Sequence, residues 1–302
     1  MGGVWTIARL TVLETRRRRL LLLTMVMTAA FFVLFWFLAH SFANGANSGP
    51  ATLSEGQLLL QNYQSGMTTL FLGLFFVYFM IAFFSIFSLA GAVAGDAESG
   101  LLAAMLPRPL HRASFLIGKW TGFAAVQAVY VAVMVAGVAL IVHLVFPTAP
   151  VWTPRLFSAG AVFILEAWTV AAVTLLGSVL FSALANGIGV SILFGIAFLV
   201  GAADQISSGV MRYAGSKSVT GIAYTLDHIN TLLSLVFPSD GLYRRALYEV
   251  AGPGAPMLQL LSSLLGPFGV STPPSGAFIV YSVLYLVAVL SISCWAFSRR
   301  DL

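Results

Sequence analysis

Long apolar runs separated by shorter polar stretches make up most of this chain. A transmembrane α-helix needs about 20 mainly apolar residues, and six of the runs are of that order. The six predicted spans cover residues 20–42, 66–95, 120–146, 156–181, 187–203 and 277–298. The pattern predicts an all-α polytopic membrane protein with six transmembrane helices. Residues 1–302 are expected to form a single transmembrane domain.

The first 19 residues, 1–19, are predicted to form an interfacial helix. The helix carries a weak apolar stripe made of Val4, Ile7, Ala8 and Leu10. Four consecutive arginines at 16–19 come directly before the first span, and we expect them to face anionic lipid headgroups. Nucleic-acid binding is the alternative for these arginines. It is disfavoured because the run adjoins a span and has no aromatic platform beside it.

The long connection between the fifth and sixth spans, residues 204–276, also contains helical patterns. Apolar residues recur at helical spacing over 219–236, and Pro238 ends that pattern. A second helix is predicted after Ser239 or Asp240, either of which can serve as its N-cap. Its apolar face is made of Leu242, Tyr243, Ala246, Leu247 and Val250. With a third helix over 257–265, these are expected to lie at the outer interface or dip partly into it, as an external lid over the spans; a separate soluble domain is the alternative.

Composition and charge support a membrane protein. Only 8% of the 302 residues are charged and 59% are hydrophobic, against roughly 25% charged residues in soluble domains. The net charge of +5 comes from basic residues beside the apolar runs. Arg155 is the only basic residue in the two short outer loops. The positive-inside rule therefore predicts that both termini lie in the cytoplasm. We expect a multi-pass protein of the cytoplasmic membrane that contacts lipids and does not bind nucleic acid.

The connection between the second and third spans, residues 96–119, is a polar stretch between two apolar runs. It holds five of the 25 charged residues, namely Asp96, Glu98, Arg108, Arg112 and Lys119. After Gly100, apolar residues follow a helical spacing and give a short helix one apolar side. These apolar residues are Leu101, Leu102, Met105 and Leu106. Pro107 and Pro109 end the helix.

This central loop resembles that of the permease subunits of the type-2 ABC exporter family. The resemblance is carried by Asp96, Glu98 and Gly100, then Leu106, Pro109, Leu110 and Arg112, then Gly118 and Lys119. The family usually has Thr where this chain has Leu101, and Pro107 is an additional proline. The basic first helix and the closing residues 297–301 are also similar to that family. An ordinary charged cytoplasmic loop is the alternative for residues 96–119.

The resemblance implies that the central loop is a coupling helix that docks on a separate ATPase subunit. Its coupling residues would be Asp96, Glu98, Gly100, Leu101, Leu102, Met105, Leu106, Pro109 and Arg112. It also implies an exporter built from two permease copies, expected to be a homodimer, and two ATPase copies. ATP and Mg²⁺ would bind to the ATPase, and no cofactor is expected on this chain.

The sequence contains no motif for catalysis or metal binding. Gly118 and Lys119 are followed by Trp120 and lack the preceding glycine of a phosphate-binding loop. There is no H-E-x-x-H pattern, and Cys294 is the only cysteine. We therefore expect no catalytic and no metal site, and a chain that is not an enzyme by itself.

Glu166 is the only acidic residue inside a predicted span. An ionised carboxylate in hydrocarbon is costly, so Glu166 must face the interior of the bundle, be protonated or have a partner. It is a candidate for a substrate path or gate, and a structural hydrogen bond to a neighbouring span or to the interfacial helix is the alternative. Two other functions stay open: a membrane-embedded assembly factor, and a secondary transporter coupled to protons through Glu166.

Overall fold

The computed structural model describes residues 2–17, 19–47, 54–95, 112–214, 217–252, 266, 269–270 and 274–299. Throughout this part of the chain the regular elements are α-helices. Numbered in chain order, they are α1 (Gly2–Arg17), α2 (Arg19–Asn47), α3 (Glu55–Leu89), α4 (Arg112–Val145), α5 (Pro154–Leu180), α6 (Ala183–Ala214), α7 (Lys217–Val236), α8 (Ser239–Ala251) and α9 (Gly276–Ser298).

Six of these helices are long and apolar enough to cross a membrane, namely α2, α3, α4, α5, α6 and α9. Their mean hydropathy lies between 1.9 and 2.5. The predicted all-helical fold with six spans is therefore confirmed. The interfacial position of α1 stays a prediction, and the third helix predicted at 257–265 lies outside the described residues.

Several helices extend beyond the apolar runs that predicted them. α3 begins at Glu55, well before residue 66, because polar residues that tolerate helical geometry continue the helix. Ser54 caps this start, since its backbone N–H donates to Gln57 Oε1 at 2.9 Å. α6 likewise runs from Ala183 to Ala214, where the apolar run covers only 187–203. An apolar run marks the lipid-soluble part of a helix and not its ends.

α5 lies at the centre of the bundle and contacts α3, α4, α6, α8 and α9. α3 and α5 are the most buried of the six spans, whereas α2 and α9 are mainly exposed. The side chains of Phe71, Leu74 and Tyr78 in α3 and of Phe163 in α5 are fully buried. The core thus forms around α3 and α5, and the exposed apolar faces of α2 and α9 are available to lipid.

α1 packs directly against α4. A Cβ added at Gly122 of α4 would lie 2.5 Å from the Ala8 carbonyl oxygen, so only glycine allows this approach. Ala8 and Thr11 are buried in the contact, while Trp5 is 74% and Leu10 53% exposed. The residues of the predicted stripe therefore differ in their contacts, since Ala8 packs against α4 while Leu10 lies on the surface, and the role of the stripe at the membrane interface stays a prediction.

α8 packs inside the bundle, and the external position expected for the connection 204–276 stays a prediction. Its predicted apolar face is buried, with Leu242, Tyr243 and Leu247 at 0% exposure. Asp240 and Arg244 are also buried, at 2% each. The helix packs mainly against α5 and also contacts α3 and α6. Periodicity predicted one buried side, and the structure buries nearly the whole circumference of the first turns of α8.

Candidate functional site

The carboxyl group of Glu166 lies in the interior of the bundle, on the side of α5 that faces α3 and α8. The residue is 0% exposed. Its Oε1 accepts a hydrogen bond of 2.9 Å from the hydroxyl of Ser239, the first residue of α8. The Ser239 Oγ also lies 3.3 Å from the Tyr78 hydroxyl of α3. A serine has one proton to donate, so the shorter contact assigns it to Glu166 and leaves Ser239 Oγ to accept from Tyr78.

The Ser239 hydroxyl therefore links α8 to two spans, to α5 through Glu166 and to α3 through Tyr78. Among the described residues, Glu166 Oε2 has no hydrogen-bond partner, and the described ion pairs join other residues. A buried carboxyl oxygen without a partner can accept a hydrogen bond from a transported molecule, or the carboxyl group can carry a proton. The prediction that Glu166 faces the interior agrees with this position, and its role stays a prediction.

A second buried polar group, the ion pair of Asp240 and Arg244, begins at the residue after Ser239. The carboxylate of Asp240 is held by Arg244, whose Nε donates to Oδ2 at 2.7 Å and whose Nη2 donates to Oδ1 at 3.2 Å. Arg244 Nη1 donates to the Gly269 carbonyl oxygen at 2.9 Å. This geometry is the side-on, bidentate form of an arginine–carboxylate pair. The ion pair compensates the charges of the Asp240 carboxylate and the Arg244 guanidinium in the buried interior, where an unpaired charge would be strongly destabilising.

The two members of this pair shift each other's pKa. Burial raises the pKa of the Asp240 carboxyl, and the Arg244 charge opposes that shift. Burial lowers the pKa of the Arg244 guanidinium, but the charge and hydrogen bonds of Asp240, with smaller contributions from Tyr243 and Tyr78, together raise it. The arginine therefore stays charged next to its partner.

α6 approaches this ion pair through a glycine. A Cβ added at Gly201 would lie 2.6 Å from Asp240 Cγ and 2.9 Å from Arg244 Nη2. The other end of α8 is also fixed to α5. Gly252, which ends α8 with a φ of +77°, lies directly under the Arg155 guanidinium. α8 is thus attached to α5 at both ends.

The coupling residues predicted from Asp96 to Pro109 lie outside the described residues, and Arg112 is the first residue of α4. The structure does describe the turn that leads into this loop, residues 90–94. The Val93 and Ala94 N–H groups donate to Ser178 Oγ of α5 at 2.8 and 3.2 Å. On the α4 side, Lys119 Nζ donates to the Ala92 carbonyl oxygen. The turn is therefore held from two sides.

Asn186 of α6 completes these contacts. Its Nδ2 donates to the Ala90 carbonyl oxygen at 2.9 Å and to the Thr174 carbonyl oxygen of α5 at 2.8 Å. Gly177 makes room for it, because a Cβ there would lie 2.9 Å from Asn186 Cγ. We call Ser178 and Asn186, together with the turn 90–94 that they bind, the polar lock.

Residues 5–302 match the family described as ABC-2 family transporter protein. The chain belongs to this family. Because the match spans nearly the whole chain, the family resemblance found in the central loop is confirmed. The protein is thus a multi-pass ABC-2 permease, the membrane component of an ABC transporter and not its catalytic part. No individually curated protein matched the chain.

Sequence reasoning missed most of the polar contacts in this ABC-2 permease. Ser239 and Asp240 were expected to cap a helix, whereas Ser239 bonds Glu166 and Asp240 bonds Arg244. The spacing of Asp240 and Arg244, four residues apart on a predicted helix, is the signal that could have found that pair. No comparable local signal points to Ser178 or Asn186, because their partners in the turn 90–94 are more than 80 residues away.

Proposed function

We propose that this chain is the membrane-spanning subunit of an ATP-driven exporter in the cytoplasmic membrane. Two copies would form a homodimer and bind two copies of a separate ATPase, which binds ATP and Mg²⁺. The observation that supports this most directly is membership of the ABC-2 family over residues 5–302. The arrangement of basic residues supports cytoplasmic termini and a cytoplasmic central loop.

In this mechanism ATP binding on the partner shifts the populations of two arrangements of the spans. The permease contributes a docking surface in the central loop and a bundle that can adopt both arrangements. The lack of a phosphate-binding loop in the sequence supports placing hydrolysis on another chain.

The test is co-purification of the permease with a phosphate-loop ATPase encoded in an adjacent reading frame, followed by measurement of ATP hydrolysis. The variant Glu98→Ala with Leu102→Asp removes the Glu98 carboxylate and replaces apolar surface of the proposed docking helix with a charged side chain. We expect it to reduce the retained ATPase about tenfold or more, as loss of interface hot spots does. Glu55→Ala with Leu58→Asp makes the same changes at exposed positions in α3 and should leave retention unchanged. Equal retention in both variants would contradict the proposal.

A proton-coupled transporter that uses Glu166 is the second candidate, and the buried, unpartnered Oε2 favours it. It is tested in proteoliposomes that hold the permease alone and a pH-sensitive dye inside. Proton flux without ATPase or ATP, abolished by Glu166→Gln, would support this second function. Absence of flux in the wild-type permease would refute a proton path through Glu166 that operates without cargo.

A further inference from the structure

The turn 90–94 is attached to α5 and α6 through backbone atoms. Groups at a helix end have no partner in their own helix, so a buried end needs outside partners. The polar lock supplies them, because Ser178 accepts from two N–H groups and Asn186 donates to one carbonyl. Ser178 is 0% and Asn186 2% exposed, so water does not compete for these bonds.

These bonds oppose any separation of the turn from the neighbouring ends of α5 and α6. Leaving a buried polar group without its partner costs about 1–3 kcal/mol, and separating the turn from α5 and α6 would unpair several at once. Asn186 also bonds the Thr174 carbonyl oxygen of α5, so α5 and α6 are joined to each other at the same point.

We propose that the polar lock passes the movement of the central loop to α5 and α6. Ser178 and Asn186 are then positioning residues for coupling, and this role rests on the proposed function. Movement of the loop displaces the turn 90–94, the lock carries that displacement to α5, and α5 carries it to Glu166. At about 1.5 Å per residue, Glu166 lies about 18 Å from Ser178 along α5. Glu166 accepts the hydrogen bond from Ser239 of α8.

The inference is tested on the complex with its ATPase, in the double variant Ser178→Ala with Asn186→Ala. Hydrogen exchange of peptides covering 178–190 is compared with and without ATP plus orthovanadate, which needs no transported substrate. In the wild-type complex we expect ATP to change exchange in these peptides. In the double variant that change should fall about fivefold or more, as expected when a coupling contact is removed. The hydrolysis rate should stay within about twofold of wild type, because the lock is remote from nucleotide chemistry.

The matched control is Ser293→Ala in α9. Ser293 is equally buried, and its hydroxyl donates to the Val289 carbonyl oxygen of its own helix. This variant should keep the full ATP-dependent change. An unaltered change in the double variant would overturn the inference, as would an exchange pattern at 178–190 that ignores ATP in an active wild-type complex. Loss of the ATPase from the double variant alone would show that the lock builds the docking surface and does not pass movement. Failure of the wild-type permease to retain any ATPase would instead refute the proposed function.

Discussion

Ser239 is the residue on which the buried carboxyl of Glu166 depends. Its hydroxyl donates the described hydrogen bond to Glu166 Oε1, and Oε2 already has no partner among the described residues. A carboxyl in this position without any donor would be buried with both oxygens unpaired, which is costly in a low-dielectric interior.

We therefore predict that Ser239→Ala lowers the free energy of unfolding by about 1–3 kcal/mol. The free energy of unfolding is measured in detergent micelles, with circular dichroism as the signal that monitors unfolding. Ser293→Ala removes an equally buried hydroxyl that bonds within its own helix, and it should cost less than about 1 kcal/mol. Equal losses in the two variants would show that Ser239 contributes nothing specific to Glu166.

Asp240 and Arg244 depend on each other in the same way. Removing one partner of a buried ion pair leaves the other charge uncompensated, so Asp240→Asn should cost about 3–5 kcal/mol. Replacing both partners, as Asp240→Leu with Arg244→Met, should recover most of that loss, because no charge is then left buried. The unfolding assay described for Ser239 measures both variants.

The pair Arg245 and Glu249 provides the comparison on the same helix. Its side chains are 17% and 24% exposed, so water screens it more than the buried pair. Glu249→Gln should cost less than Asp240→Asn, about 1–2 kcal/mol, because these partly exposed side chains keep some access to water. A loss at Glu249 that matches the loss at Asp240 would refute the argument from burial.

At the scale of elements, the insertion of α8 depends on the narrow contact with α6 at Gly201. Gly201→Ala would place a methyl group against the Asp240 carboxylate, and overpacking of this kind costs about 1–3 kcal/mol. Gly195, on the same helix, has nothing within 4 Å of an added Cβ. Gly195→Ala should therefore leave stability unchanged or raise it by up to about 1 kcal/mol. Thermal unfolding of the two variants checks the difference, and equal effects would contradict close packing at Gly201.

The six spans were predictable because a bilayer imposes a length and an apolar composition that one sequence displays directly. The ends of α3 and α6 were not, because polar residues extend a helix beyond its apolar run. The burial of α8 was only half predicted. Its apolar face follows from periodicity, whereas the burial of Asp240 and Arg244 depends on their pairing.

The candidate site shows a similar limit. Glu166 could be selected from the sequence because a carboxyl inside a span is rare. Its partner Ser239 is 73 residues away, and the residues of the polar lock are separated by 84 to 96 residues from their partners in the turn. Such pairs are set by how helices pack, and a single sequence contains no local pattern that records them.

For the whole molecule, the arrangement of basic residues predicts which side of the membrane each loop faces. We expect a fluorescent protein fused after Leu302 to fluoresce, because the C-terminus is cytoplasmic by the positive-inside rule. Alkaline phosphatase inserted at Thr148, between α4 and α5, should be active on the outer side. A phosphatase fusion active at Leu302 and inactive at Thr148 would reverse the proposed orientation, and with it the position of the central loop.

The insertion of α8 has a consequence for biogenesis. With 13 residues, α8 is shorter than the roughly 20 that lateral release from the translocon into lipid requires. It also carries Asp240 and Arg244 inward. We therefore expect the segment to enter a crevice between α3, α5 and α6 late in assembly. Before that step Tyr78 and Glu166 would be open to water, because Ser239 of α8 is their hydrogen-bond partner.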